Sequence, residues 1–143
     1  MKNIIYLKSI EDKYEVLDNG IVKFTSRFEV RCNNEYTNLL SQYKTRLFKF
    51  LKTGICDNAD RKTGIFTITK YAKCSEEDTF DETTGVRISR AKVEVAACKA
   101  ASKLLEKLHE LMISDTILLS DEVMDVEFRK AAEEGFLINN YIK

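Results

Sequence analysis

The chain has 143 residues, of which 23 are basic and 23 acidic, so its formal net charge is zero. This length fits one domain with a single core, and we expect residues 1–143 to form one unit. Zero net charge excludes a global field that would hold the protein on DNA or an anionic membrane, so any anion binding has to be local. The apolar runs are too short to cross a bilayer, which predicts no signal peptide and no membrane segment.

The first half of the chain is predicted to form an antiparallel sheet of about four strands. Apolar runs at residues 3–7 and 14–17 indicate two strands, and the Asn19-Gly20 step that follows is a strong hairpin turn signal. Residues 22–31 alternate between apolar and polar side chains, which places one face on the core and the other in water. Residues 65–73 are rich in β-branched and aromatic side chains and predict the last strand.

The wet face of the strand over residues 22–31 carries Arg27 and Arg31. Two interpretations stay open for this basic row: an ordinary solvated sheet face, or a row that faces a ligand. The segment between the last two strands predicts a helix, because Asn33-Asn34 can cap it and apolar residues then recur at spacings of three and four to about residue 53. Gly54 is expected to end this helix.

The second half is predicted to form a long C-terminal helical pair. The first helix runs from about residue 83 to 113 after a cap by Asp81, and its middle is crowded with small apolar residues on more than one side. Ser120-Asp121 is expected to open a second helix over residues 122–134, with Gly135 near its end. A long helix that is apolar on several sides needs cover, which predicts an α+β fold assembled as a homodimer or higher oligomer.

Recognisable catalytic and metal-binding motifs are missing from the sequence. It has no Gly-rich phosphate loop, no H-E-x-x-H or G-x-S-x-G motif and no Cys/His ligand spacing, and His109 is the only histidine. The four cysteines are far apart and are interpreted as cytosolic structural thiols. The acidic run over residues 76–82 is better explained as a solvated loop than as a calcium site. We therefore predict a protein that is not an enzyme and needs no metal or cofactor.

The strongest functional candidate is a set of four residues around the start of the long helix. Phe80 offers a ring for stacking, Asp81 can accept hydrogen bonds, and Arg87 and Arg90 can pair with an anion near a helix N-terminus. Together these groups fit a nucleotide-like ligand. The alternative is that Phe80 packs as a hydrophobic staple on the helix while both arginines are plain surface residues.

The sequence AKCSEEDTFDETTGVRISRAK is preceded by the YKTRLFKFLK helix and the GIFTITKYA strand, and it is followed by an alanine-rich helix. This arrangement, over roughly residues 36–110, resembles the first family of phage Thoeris anti-defence cyclic-nucleotide sponges. Members of that family are not enzymes: they sequester the cyclic ADP-ribose isomers made by bacterial TIR-domain defence proteins, in pockets at the edge of a dimer interface, and some assemble into hexamers.

The resemblance implies that Phe80 stacks on a base, that Asp81 reads polar groups, and that Arg87 and Arg90 contact phosphate or ribose in the cytoplasm of an infected bacterium. Arg27 and Arg31 are candidates to complete the pocket across the dimer, on the strength of their alternation alone. Two other functions stay open: direct binding and inhibition of a host defence protein, and nucleic-acid binding through basic residues of the sheet and first helix. Neutral net charge counts against nucleic acid as a partner.

Overall fold

The computed structural model describes residues 4–18, 20–73 and 81–140. Within them the chain forms three strands, two α-helices and two short helical turns of other types. It divides into two compact units, Met1–Leu108 and His109–Lys143. In chain order the elements are β1 (Ile5–Leu17), β2 (Ile21–Cys32), a 3-10 turn (Asn34–Tyr36), α1 (Thr37–Phe50), a π turn (Leu51–Ile55), β3 (Ile65–Lys73) and α2 (Glu82–Asn140).

The sheet is antiparallel throughout, with the strand order β1-β2-β3. The predicted hairpin is confirmed, because Leu17 pairs with Ile21 and Gly20 takes a φ of +71° that favours glycine in the turn. The described residues form three strands rather than about four. Residues 5–7 of the first predicted run and the whole of the run over residues 14–17 belong to one strand, in which a register shift between Ser9 and Glu11 forms a bulge.

The core lies against one face of the sheet. On that face Phe28 of β2 and Phe66 of β3 stack with ring centroids 5.8 Å apart, and both side chains are buried. The first part of α2 contributes a stripe of buried residues spaced three or four apart, as the core-facing side of a helix requires. These residues are Ser89, Val93, Ala97, Ala100, Leu104 and Leu108.

Helix α1 also contributes buried side chains to the core. The Asn33 side chain accepts a hydrogen bond from the Glu35 backbone N–H at 3.2 Å, so the predicted cap is confirmed, although the first turn is of the 3-10 type. The helix is shorter than predicted: α1 ends at Phe50, and the π turn continues to Ile55 past Gly54. Leu47, Phe48 and Leu51 are fully or almost fully buried.

The predicted helical pair is wrong, because α2 is one helix of 59 residues that passes through both Ser120-Asp121 and Gly135. A Ser-Asp step favours a helix start, but it does not break a helix that has already formed. Leucine and isoleucine precede it, and the chain contains no proline. Beyond Leu108 no described residue of α2 is buried. None of the helices within the described ranges is long and apolar enough to span a membrane.

Candidate ligand-binding site

Asp81 caps the N-terminus of α2, as the sequence predicts. One carboxylate oxygen accepts from the Thr83 backbone N–H at 3.1 Å, and the other accepts from the Thr84 hydroxyl at 2.7 Å. The hydrogen bond from the Thr84 hydroxyl lowers the pKa of Asp81, since it stabilises the ionised carboxylate. Asp81 is therefore a charged, exposed acceptor whose lone pairs are already partly used by the helix.

Arg87 and Arg90 are exposed on the first turns of α2, and their spacing of three makes them neighbours on the helix surface. The pKa of Asp12 on β1 is lowered, chiefly by the hydrogen bond that its carboxylate accepts from the buried Ser26 hydroxyl. Ser9 donates a second hydrogen bond to Asp12 at 2.7 Å, and the charge of Arg90 makes a further, smaller contribution. Arg90 therefore lies on the side of α2 that is nearer to β1.

Arg27 and Arg31 lie on the face of the sheet opposite the core. Each alternates with buried residues of β2, and each has an acidic neighbour: Arg27 is 3.7 Å from Glu11, and the Arg31 Nε donates to Glu29. Two shallow clefts of about 100 and 290 Å³ adjoin Arg27. Ion pairs between exposed groups hold a guanidinium weakly, so both arginines remain available to an incoming anion.

Within one chain the structure brings together some of the predicted residues. Asp81 caps α2, and Arg87 and Arg90 lie on its first three turns, whereas Arg27 and Arg31 lie on the other side of the sheet. Phe80, and the part of the acidic run that covers residues 76–80, lie outside the described residues. The five described residues of the predicted set therefore do not form one cluster in a single chain.

A second concave surface was not predicted from the sequence. A groove of about 510 Å³ runs between β3 and α2, with an apolar floor and three lysines around it. We call it the lysine groove, and its lining is Lys70, Ile88, Ala91, Lys92, Val95, Ala96 and Lys99. A spacing of seven residues, close to two helical turns, indicates a shared helix face. It relates Lys92 to Lys99 and Ile88 to Val95, so this part of the groove could have been predicted from the sequence. The contribution of Lys70 from β3 was visible only in the fold.

The lysine groove and Arg90 lie on different flanks of α2. Lys92 donates from its Nζ to the Tyr71 carbonyl oxygen of β3 at 2.8 Å, while the charge of Arg90 acts on Asp12 of β1. Since β1 and β3 are the two edges of the sheet, anion-binding groups are available toward both edges. The guanidinium groups of Arg87 and Arg90 can pair bidentately with a phosphate. The lysine groove instead combines ammonium groups, which act as point charges, with a wide aliphatic surface.

Comparison with protein-family models gives no match, and searches of curated proteins and of solved structures also give no match. The elements themselves define the class: a mixed α/β protein with a three-stranded antiparallel sheet and a long C-terminal helix. Among residues 4–18, 20–73 and 81–140 no group of three or more potential ligands is arranged to hold a metal ion. The described cysteines, Cys32, Cys56 and Cys98, are free thiols.

Proposed function

We propose that this protein binds a cyclic nucleotide immune signal, a cyclic ADP-ribose isomer, and sequesters it without cleaving it. The observation that carries the proposal is the exposed pair Arg87 and Arg90 on the first turns of α2, directly after the Asp81 cap. Backbone N–H groups at a helix start favour anions, and a guanidinium can pair bidentately with a phosphate. The motif resemblance around these residues supports the same ligand class.

The proposed mechanism is mass action in the cytoplasm of an infected bacterium. A binding protein in excess over the signal, and far above its dissociation constant, lowers the free signal below the level that activates the effector. Such a protein needs tight binding and no chemistry. The dissociation constant and the copy number of the protein then decide whether defence is suppressed.

We propose that the complete pocket forms in a homodimer or a hexamer. Arg27 and Arg31 of one copy would face Asp81, Arg87 and Arg90 of another, with Phe80 stacking on the base. The support for this arrangement is that the two groups of residues lie on opposite sides of the sheet in one chain, while both are exposed or half-exposed. The pocket would then combine ring stacking with several cationic contacts.

The test is to incubate the purified protein with the products of an activated TIR-domain enzyme, remove unbound material by filtration, heat the retained protein and identify the released ligand by mass spectrometry. We expect an intact cyclic ADP-ribose isomer from wild type. Arg87→Ala and Arg90→Ala should each weaken binding about ten- to a hundredfold, since a hydrogen bond to a charged group contributes about 1.5–3 kcal/mol.

Arg61→Ala is the matched control, because Arg61 is also exposed but lies in the loop before β3. It should bind like wild type. Failure of the wild-type protein to retain any ligand would overturn the proposal and favour direct binding of a host protein. A cleaved product in the retained fraction would show catalysis and overturn sequestration.

A further inference from the structure

The part of α2 over residues 109–140, here called the distal segment, carries many exposed apolar side chains. Leu118, Leu119 and Phe128 are 68%, 62% and 70% exposed, although side chains of this size favour burial. A continuous series of such residues on one helix marks a surface that another molecule covers. The other exposed members are Met112, Ile113, Ile117, Val123, Met124, Val126, Phe136, Leu137 and Ile138.

The distal segment is also strongly acidic. It contains eight acidic and two basic residues, which gives a net charge of −6, while residues 1–108 contain 15 acidic and 20 basic residues and have a net charge of +5. Leu119, Val123 and Val126 follow helical spacing and form one apolar stripe. Glu122 and Glu127 lie on either side of this stripe, so the stripe is an apolar surface with acidic edges.

The lysine groove has the complementary pattern. Its floor is aliphatic, its three charged residues are all lysines, and no acidic side chain is among the described residues that line it. From residue 88 to residue 99 of α2 the groove is roughly 16 Å long at 1.5 Å per residue, which accommodates about three turns of a second helix. Ile88 and Val95 on its floor are 47% and 55% exposed and have apolar area left to bury.

We propose that the lysine groove of one copy binds the distal segment of a second copy. The stripe of Leu119, Val123 and Val126 packs on the aliphatic floor, and Glu122 and Glu127 approach the lysines at the edges. Each copy carries both surfaces. Two copies related by a two-fold axis can therefore each place the distal segment in the lysine groove of the other. The assembly does not depend on ligand binding by Arg87 and Arg90.

A second copy is favoured as the occupant because the complementary charges belong to the same chain. Direct packing of two distal segments on each other would bring two surfaces of −6 together, and like charges at close range oppose association. Docking in the lysine groove instead pairs that charge with three lysines. Specificity then comes from the charges, and affinity comes from the buried apolar side chains.

Charge reversal with rescue tests the proposal by light scattering and sedimentation equilibrium. The wild type is expected to be an oligomer. Lys70→Glu/Lys99→Glu reverses the edges of the groove, and Glu122→Lys/Glu127→Lys reverses the edges of the stripe. Each double variant should weaken self-association at least tenfold, because two ion pairs become two repulsions. The quadruple variant, which restores opposite charges, should regain most of the association.

Matched controls separate this interface from a general charge effect. Lys49→Glu/Lys62→Glu makes the same charge change on α1 and in the loop before β3. Asp121→Lys/Asp125→Lys makes it on the opposite side of the distal segment. Both controls should keep the wild-type mass, and circular dichroism should show unchanged helix content in every variant.

Three results would overturn the proposal. The first is a wild type that stays monomeric at tens of micromolar. The second is loss of association on reversing the stripe alone, with no effect on reversing the groove, which would assign the contact to two distal segments. The third is a quadruple variant that associates no better than either double variant, because complementary charges would then not be in contact.

Discussion

Gly64 is the position where a single methyl group should do the most damage to the fold. Its φ is +70°, in the left-handed region, and an added Cβ would lie 2.6 Å from Cζ of Phe48, which is 1% exposed. The left-handed backbone costs a residue with a Cβ about 1–2 kcal/mol, and overpacking a buried site costs about 1–3 kcal/mol. Gly64→Ala should therefore destabilise the protein by roughly 2–5 kcal/mol, measured by urea unfolding followed by circular dichroism.

Gly135→Ala is the matched control, because nothing lies within 4 Å of the added Cβ and the residue is inside α2. Alanine is the better helix former by about 1 kcal/mol, so this variant should keep or gain helix content. In the background of Phe48→Leu, which removes the ring, Gly64→Ala should cost less than in wild type. A cost below about 0.5 kcal/mol for Gly64→Ala in the wild-type background would refute the contact and the strain together.

Three further changes test the core, the β1 flank and the β3 edge. Leu104→Ala, at a fully buried site of α2, should lower the free energy of unfolding by about 2–5 kcal/mol, and the exposed Leu105→Ala by no more than about 0.5 kcal/mol. The pKa of Asp12 is lowered in the fold, so its carboxylate stabilises the folded state fully above about pH 4 and loses this effect as pH falls through the lowered pKa. Asp12→Asn should therefore reduce the free energy of unfolding at pH 7 and reduce it much less at pH 2. An equal reduction at both pH values would contradict this. The Asn58 side chain donates to the Thr67 carbonyl and accepts from the Thr67 N–H, both at 2.9 Å, so Asn58→Ala should cost roughly 1–3 kcal/mol in thermal or urea unfolding. Asn58→Asp, which keeps only the acceptor, should cost less than Asn58→Ala, and the reverse order would refute this pairing.

The sequence predicted the elements of the fold better than their limits. Alternation over residues 22–31 and the Asn-Gly turn identified the hairpin, because a half-buried strand imposes a period of two. The polar residues between residues 7 and 14 concealed the continuity of β1. That strand is an edge and mostly exposed, so it has no buried face to impose a regular pattern. The Ser120-Asp121 step led to the wrong prediction of a second helix for a related reason. On an exposed helix, residues that favour a cap can also lie in the interior.

The candidate site was predictable only within single elements. Spacing along α2 placed Arg87 beside Arg90, and alternation along β2 placed Arg27 and Arg31 on the same face of the strand. Which face of the sheet α2 covers depends on packing between elements, so the separation of these two pairs was not predictable. The lysine groove was missed for the same reason, because Lys70 comes from β3.

The net charge of zero has a different meaning once the fold is known. Residues 1–108 carry a net charge of +5, the distal segment carries −6, and Lys143 adds the last positive charge, so zero is a total of two oppositely charged parts. The absence of a global field is therefore a property of the whole chain and not of each surface. Ligand binding is proposed on the β1 flank of α2, beside Arg90, and self-association on the β3 flank, beside Lys92. Because the two flanks differ, charge reversal in the lysine groove can remove the second copy without changing Arg87 or Arg90. Such a variant tests whether the second copy completes the ligand pocket. If Lys70→Glu/Lys99→Glu releases the partner and binding of the cyclic nucleotide falls with it, the pocket spans two copies, whereas unchanged binding would show that Asp81, Arg87 and Arg90 suffice within one chain.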